Sequence, residues 1–389
     1  MSATAAIRTR LTSVIDTLTT PVVLGPMANV AGGSLAGRVS KAGGLGFIGA
    51  GTFDAATLQA EIETAHQILG IDKPPRGTGN RVHLGIGFLV WRLSNLNKGP
   101  PPSLGASDLD ASSPALHLID AALRSKPRAI WLAFGDEADM VGWSSIVRDR
   151  EAALNGAGKA AWGKELKLFV GVGNEAQAKA AVEDCGADVI VVQGNEAGGH
   201  GLAASPPLSV ALSQIGSRMG DWKPSNPSGI TPPVLAAGGL MTGAHLASAL
   251  AQGAAGGVFG TRFLLTPEAV YSDAQKQVLL DAGGDSTLRS MAFDDARNTL
   301  GWPEGVDGRG IYSDTVRDFE AAADVPGGTS AEARQARYKQ AEADKDPKRI
   351  VTWAGTGIGL GTRIMPAEDI VREVSRDAAD SIKRISSYV

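Results

Sequence analysis

The chain has 389 residues, 43% of them hydrophobic and 20% charged, with a formal net charge of -4. That composition excludes disorder and collagen, allows one or two soluble cores, and gives no basic footprint for a nucleic-acid backbone, so nucleic acid is not expected as a partner. No apolar run reaches the ~18–20 residues that span a bilayer, and Cys185 alone forms neither an internal disulfide nor a zinc site, so neither a membrane nor a metal is expected. Glycine is the outlier, at 50 residues or about 13% of the chain against a usual ~7%.

Leu11, Val14, Ile15 and Leu18 fall at helical spacing and lead directly into the first apolar run, which predicts a structural first helix. Arg8 and Arg10 among several Ser and Thr are also compatible with a transit peptide, so the expected location is the cytoplasm with mitochondrial import left open. Eight short apolar runs follow: Pro21–Leu24, Leu45–Gly49, Val82–Leu89, Ala129–Phe134, Leu166–Val172, Asp188–Gln193, Pro233–Ala237 and Gly256–Gly260. None shows polar alternation, as in strands buried on both faces of a parallel sheet. Helical patterns separate them at Gly33–Ala42, Ala55–Leu69, Pro114–Arg124, Asp136–Leu154, Glu175–Cys185, Pro206–Ile215 and Thr242–Gln252. This alternation predicts an α/β fold, a (β/α)8 TIM barrel, with a doubly wound open sheet as the competing architecture.

Ser94–Ser113 reads as a Pro/Ser/Gly-rich insertion on the C-terminal face, and Met219–Pro232 as a connector on the opposite face. Asp285–Arg349 is charged, with a helix expected over Ala331–Lys345, and predicts an additional, mostly helical C-terminal lobe. The expected division is a barrel over residues 1–270, a helical lobe over 271–350 and a segment returning to the barrel over 351–389.

Two constellations carry chemistry. In Gln193-Gly194-Asn195-Glu196-Ala197-Gly198-Gly199-His200-Gly201 a buried strand runs into glycines that admit a ligand to the backbone, while Gln193, Glu196 and His200 offer polar groups at the barrel mouth. His200 is the candidate acid/base because a neutral imidazole takes a proton near physiological pH. His66, His83, His117 and His245 read as core or surface histidines. Gly238-Gly239 after the seventh strand and Gly260-Thr261 after the eighth place free N–H groups before helices, where barrels hold phosphate. Gly44-Leu45-Gly46-Phe47-Ile48-Gly49 matches G-x-G-x-x-G but lies after a helix and along a strand, the reverse of a dinucleotide fingerprint. Gly355-Thr356-Gly357-Ile358-Gly359 reads as either a ligand loop or a plain turn. Cys185 falls on the face opposite the active site, which argues against a thiolate nucleophile.

Pro21-Val22-Val23-Leu24-Gly25-Pro26-Met27, Gly43 to Gly49, the Gln193–His200 loop, Ala237-Gly238-Gly239 and Gly260-Thr261-Arg262-Phe263 together resemble nitronate monooxygenase, formerly called 2-nitropropane dioxygenase. The resemblance covers Leu11 to Pro267 well and the last third loosely, through Trp353-Ala354-Gly355. It implies an FMN-dependent enzyme that oxidises alkyl nitronates with O2 to carbonyl compounds and nitrite, with His200 abstracting the proton next to a nitro group. It further implies that Gly238, Gly239, Gly260 and Thr261 hold the FMN phosphate with Gly198 and Gly199 nearby. Gly25, Pro26, Met27 and Gly87 would line the flavin ring, and Gln193 would hydrogen-bond it. Bacterial members often carry an Asn where Gly87 stands and a Gln where Thr356 stands, and Ile86-Gly87-Phe88 resembles the fungal branch. An anionic substrate such as propionate 3-nitronate would want a cation, with Arg92 and Arg262 as candidates. The competing readings are a related NAD(P)H-dependent FMN enoyl-thioester reductase and a non-catalytic flavin-binding barrel. The partners expected are a small nitronate and O2, and the chain is expected as a monomer or homodimer.

Overall fold

The structure, a computed structural model, describes residues 6–72, 81–102, 113–155, 166–323 and 329–388. Eight parallel strands form one sheet: β1 (Val22–Leu24), β2 (Phe47–Gly49), β3 (Val82–Leu89), β4 (Pro127–Ala133), β5 (Lys167–Val172), β6 (Val189–Gln193), β8 (Val234–Ala237) and β9 (Gly257–Phe259). They pair in the order β1-β9-β8-β6-β5-β4-β3-β2, and a parallel bridge from Val23 to Leu45 closes the ends into a barrel. The missing number, β7 (Gly199–Leu202), lies in the connection after β6.

Strand parity decides what fills the barrel, because successive side chains point to opposite faces. Val23, Phe47, Trp131, Phe169, Val191, Leu235 and Val258 belong to one buried cluster, the interior. Val22, Ile48, Ile86, Ile130, Leu168, Ile190 and Ala236 belong to the other, against the outer helices. Leu11 and Ile15, in and just after α1 (Arg10–Val14), are fully buried in the interior cluster, so the first helix plugs the barrel. Within the barrel Phe47 lies edge-on to Trp131 and Phe169 at ring separations of 5.3 and 5.2 Å.

The outer helices follow the sequence closely: α2 (Gly33–Lys41), α3 (Ala55–Leu69), α5 (Pro114–Arg124), α6 (Glu137–Asn155), α7 (Glu175–Glu183), α8 (Leu208–Arg218) and α9 (Gly243–Ala251). One was not anticipated. α4 (Val90–Asn97) takes up the start of the insertion expected from Ser94, and residues 103–112 of that insertion lie outside the described residues. After β9 comes only the short α10 (Thr261–Leu264), and the eighth helical position is filled by the last helix, α15 (Ala367–Ser386). It packs on α9 and α2, so closely that a β-carbon on Gly243 would lie 2.3 Å from the Ala378 nitrogen.

Between α10 and α15 runs the additional lobe: α11 (Asp273–Asp281), α12 (Ala292–Arg297), α13 (Asp314–Ala323) and α14 (Ala331–Asp344). It is not helical alone. It also holds β10 (Thr287–Ser290) and β11 (Val306–Ile311), and β11 pairs antiparallel with both β10 and β7. The lobe is thereby hydrogen-bonded to the loop carrying His200, with His200 opposite Gly308. These strands went unread because their glycines and charges, VDGRGI in β11, lack the apolar run that marks a barrel strand. The lobe has its own small core of Ala292, Phe293, Ala296, Val316, Tyr338 and Val351.

Candidate active site

The C-terminal ends of β8 and β9 carry the glycine turns. Gly238 and Gly239 have φ of 120° and 69°, values that L side chains adopt only with strain. Beyond the strand ladder, no acceptor among the described residues is bonded to the N–H groups of Gly239 and Gly260. Free backbone donors gathered at helix starts are a cradle for an anionic group, the donor set a phosphate needs. A cleft of about 600 Å3 opens beside Gly238 and Gly239, lined also by Glu196, Leu240, His245 and Thr356, a volume in the usual range for small-molecule sites.

The segment Trp353–Thr356 ties these turns to the loop after β6. Gly355 N donates to Thr261 Oγ1 at 2.9 Å and Thr356 N to Glu196 O at 3.0 Å. A β-carbon on Gly198 would lie 2.4 Å from the carbonyl carbon of Ala354, so only glycine allows this approach. The Gly355–Gly359 run is thus a returning loop beside the cradle, its turn written as a 3-10 helix over Thr356–Leu360.

On the other side of the mouth, Gly25 N donates to Phe259 O at 3.0 Å, and a β-carbon on Gly260 would lie 3.6 Å from Met27 Sδ. Gly87 faces inward, and a β-carbon there would lie 2.3 Å from Pro26 Cβ, so its bareness makes room for the loop after β1. Gln193 ends β6 with its Nε2 donating to His200 O at 2.7 Å, which fixes the backbone of the histidine. Glu196 has a structural task that sequence reading missed: its Oε2 accepts from Leu208 N at 2.8 Å and caps α8.

His200 is enclosed. Its ring stacks on Trp302 at a centroid distance of 3.6 Å and an interplanar angle of 12°, and Trp353 lies 4.9 Å away. Nε2 sits 2.8 and 3.0 Å from the two carboxyl oxygens of Asp294, which is fully buried, and Thr299 Oγ1 donates to Asp294 Oδ1 at 2.7 Å. Burial pushes the imidazole below its ordinary value, Asp294 pulls it back up, and Arg297 and Arg289 push it down again. The net direction is downward, which leaves His200 neutral at neutral pH and able to accept a proton.

Trp302 extends this cluster across the mouth, with Trp91 of α4 at 5.1 Å and Phe134 after β4 at 5.6 Å. The indole N–H groups of Trp91 and Trp302 are buried without an acceptor among the described residues. Phe134 is held at φ 61°, a strained conformation for a bulky residue, at the rim of the site.

The structure therefore brings the predicted residues to one end of the barrel and adds others. Asp294, Trp302, Trp91 and Phe134 were not anticipated, because their link to His200 is spatial. The remaining histidines are occupied or peripheral: His83 bonds Thr17 and Gly44 O, His245 Nδ1 accepts from Met241 N, His66 is buried within α3 and His117 lies exposed on α5. Arg262 is buried and engaged by Glu373 of α15 at 3.1 Å, and Arg92 lies in α4. Cys185 is buried, which raises its thiol to about 11 and leaves it no nucleophile at neutral pH.

Comparison with known proteins agrees with this geometry. The structure resembles FabK from Thermotoga maritima, with a TM-score of 0.69 and 22% identity over 99% of this chain and all of that one. It equally resembles a nitroalkane oxidase from Streptomyces ansochromogenes, with a TM-score of 0.67 and 22% identity over 96% of this chain and 99% of that one. At such identity these likenesses establish the barrel fold. In sequence, a nitronate monooxygenase of Neurospora crassa is 31% identical over 100% of this chain and 96% of its own length. The nitronate monooxygenase family model matches residues 8–83 and 164–377, and the chain belongs to that family of flavin-dependent oxidoreductases.

Proposed function

We propose that the chain oxidises alkyl nitronates with O2 to a carbonyl compound and nitrite, with FMN as its flavin and His200 as general base when the substrate enters as a neutral nitroalkane. The observation that carries this reading is the placement of a buried, neutral imidazole at the same strand ends as a cradle of free glycine N–H groups. A single cradle suits a mononucleotide, whose one phosphate would be held by Gly238, Gly239, Gly260 and Thr261, with Gly198 and Gly199 close by. Gly25, Pro26, Met27 and Gly87 would line the ring, and Gln193, whose Nε2 is engaged by His200 O, would offer its amide oxygen. When bound, the flavin supplies electron acceptance and the reaction with oxygen.

The protein's own part is binding and proton transfer. A nitroalkane carries an acidic C–H, and a neutral imidazole beside it takes the proton while the electron pair delocalises onto the nitro oxygens. The buried indole N–H donors of Trp91 and Trp302 match a substrate whose oxygens only accept hydrogen bonds. The aromatic surroundings of His200 hold the plane of its ring.

The test is direct. The purified protein should be yellow, release FMN on denaturation and consume O2 with an alkyl nitronate. A colourless protein that FMN cannot reconstitute, or a flavin reduced rapidly by NADH and reoxidised by a 2-enoyl thioester, would overturn the proposal.

A further inference from the structure

Asp294 is a carboxylate with no exposed surface, and no arginine or lysine pairs with it among the described residues. Burying a charge is costly unless it is hydrogen-bonded. Its side-chain donors are His200 Nε2 and Thr299 Oγ1. An ionised carboxylate only accepts, so this arrangement requires the proton of the neutral imidazole to sit on Nε2. The opposite nitrogen, Nδ1, then carries the lone pair. It has no hydrogen-bond partner among the described residues and is not sealed from solvent.

The surroundings hold this orientation. Trp302 covers one face of the ring and Trp353 leans on it at 55°. Asp294 itself lies on α12 between two anchors. Phe293 is buried in the lobe core, and Asp295 is gripped by Arg334, whose Nε and Nη2 donate to its two oxygens at 2.7 and 2.8 Å. Thr299 N also donates to Asp294 O at 3.0 Å. A side chain fastened this firmly to a separate lobe, and aimed at one nitrogen of the loop histidine, has the geometry of an orienting group.

We propose that Asp294 is a positioning residue that holds His200 in the tautomer protonated on Nε2, so that Nδ1 is the nitrogen that takes the substrate proton. This rests on the reading of His200 as the base. In the step, the substrate C–H bond breaks, its electron pair moves onto the nitro group, and an N–H bond forms at Nδ1. The resulting imidazolium faces Asp294 through Nε2, which stabilises it without accepting its proton. The charged groups facing His200 are Asp294 and Arg297 from α12 and Arg289 from β10, the last bound to Asp307 of β11.

The experiment uses the full-length flavoprotein labelled with 15N-histidine, with the His200 signals assigned by their loss in His200→Gln. In the wild type, Nε2 should resonate as a protonated and Nδ1 as an unprotonated ring nitrogen; the reverse pattern overturns the proposal whatever Asp294→Asn does. In Asp294→Asn the tautomers should mix, because an amide both donates and accepts. Turnover of a neutral nitroalkane should then fall roughly 10²-fold, while a preformed nitronate loses less than about threefold. Loss of the carboxylate should also move the acidic limb of the neutral-substrate profile to lower pH, since Asp294 raises the imidazole. An unchanged tautomer, or equal losses on both substrates, reduces Asp294 to a structural role and overturns the proposal. Thr299→Val, a milder lesion in the same chain of bonds, should show the same trends at a smaller size, and serves if Asp294→Asn does not fold. If His200→Gln turns over both substrates like the wild type, the base reading has failed instead, and the wild-type tautomer still reports whether Asp294 orients the ring.

Discussion

The two sides of the barrel mouth are built from different materials. At the ends of β8 and β9 the site is largely backbone: Gly239 and Gly260 present free N–H groups, and a β-carbon on Gly238 would meet main-chain atoms of Ala197 and Gly194. Around His200 the site is side chain, and most of it arrives from elsewhere: Asp294, Thr299 and Trp302 from the lobe, Trp353 from the returning segment, Trp91 and Phe134 from the connections after β3 and β4. The difference teaches that the proposed anion cradle is a property of the barrel, set wherever a strand turns into a helix, whereas the setting of His200 depends on the lobe being docked. The sheet β10-β11-β7 is the physical link, since it hydrogen-bonds the lobe to the loop that carries the histidine.

That contrast can be broken by substitution on either side. His200→Ala should have the largest effect, a fall of about 10²–10⁴-fold in turnover of neutral nitroalkanes with flavin content unchanged, read by oxygen consumption. In the wild type the same group should give an acidic limb. Because His200 is held below its ordinary value, activity on neutral substrates should persist through neutral pH and fall about tenfold per unit only below that lowered value, as the imidazole protonates. A preformed nitronate should lack this limb.

On the backbone side, Gly198→Val should cost about 2–4 kcal/mol of stability and most of the bound flavin, because its side chain would collide with the main chain of Ala354 and Gly355. Absorbance per protein and thermal unfolding measure the two losses, and retention of full flavin would show that the Trp353–Thr356 segment is not needed for the cradle. Trp302→Leu should lower turnover of neutral substrates about tenfold by freeing the imidazole, leaving flavin content intact. The smallest effect is expected from Glu196→Ala, about 1 kcal/mol of stability from the lost cap on α8, with little change in rate. A large rate loss there would mean that Glu196 belongs with the chemistry.

The glycine excess has two sources that composition alone could not separate. Some glycines allow a tight turn at a strand end, as Gly238 and Gly239 do through their positive φ. Others make room: Gly85 lies inside the barrel, where a β-carbon would lie 2.3 Å from the Phe47 ring, and β-carbons on Gly308 and Gly310 of β11 would lie 2.4 Å from Trp353 and 3.0 Å from Phe293. The second kind explains glycines of the lobe that have no strand-end position.

The sequence by itself determined the barrel, nearly element by element, because apolar runs and helical periodicity are local signals and each strand is buried on both faces. It also determined where the glycine turns after β8 and β9 lie, since a glycine at a strand-to-helix turn needs no distant partner to expose its N–H groups. Only the tertiary structure decided the eighth helix, supplied by α15 after a long detour, and the setting of His200. Asp294 lies 94 positions from the histidine it touches, in a stretch whose charged pattern looks like solvated surface. Periodicity cannot report such a contact, because it is created when β11 pairs with β7 and the buried carboxylate finds the imidazole as its donor.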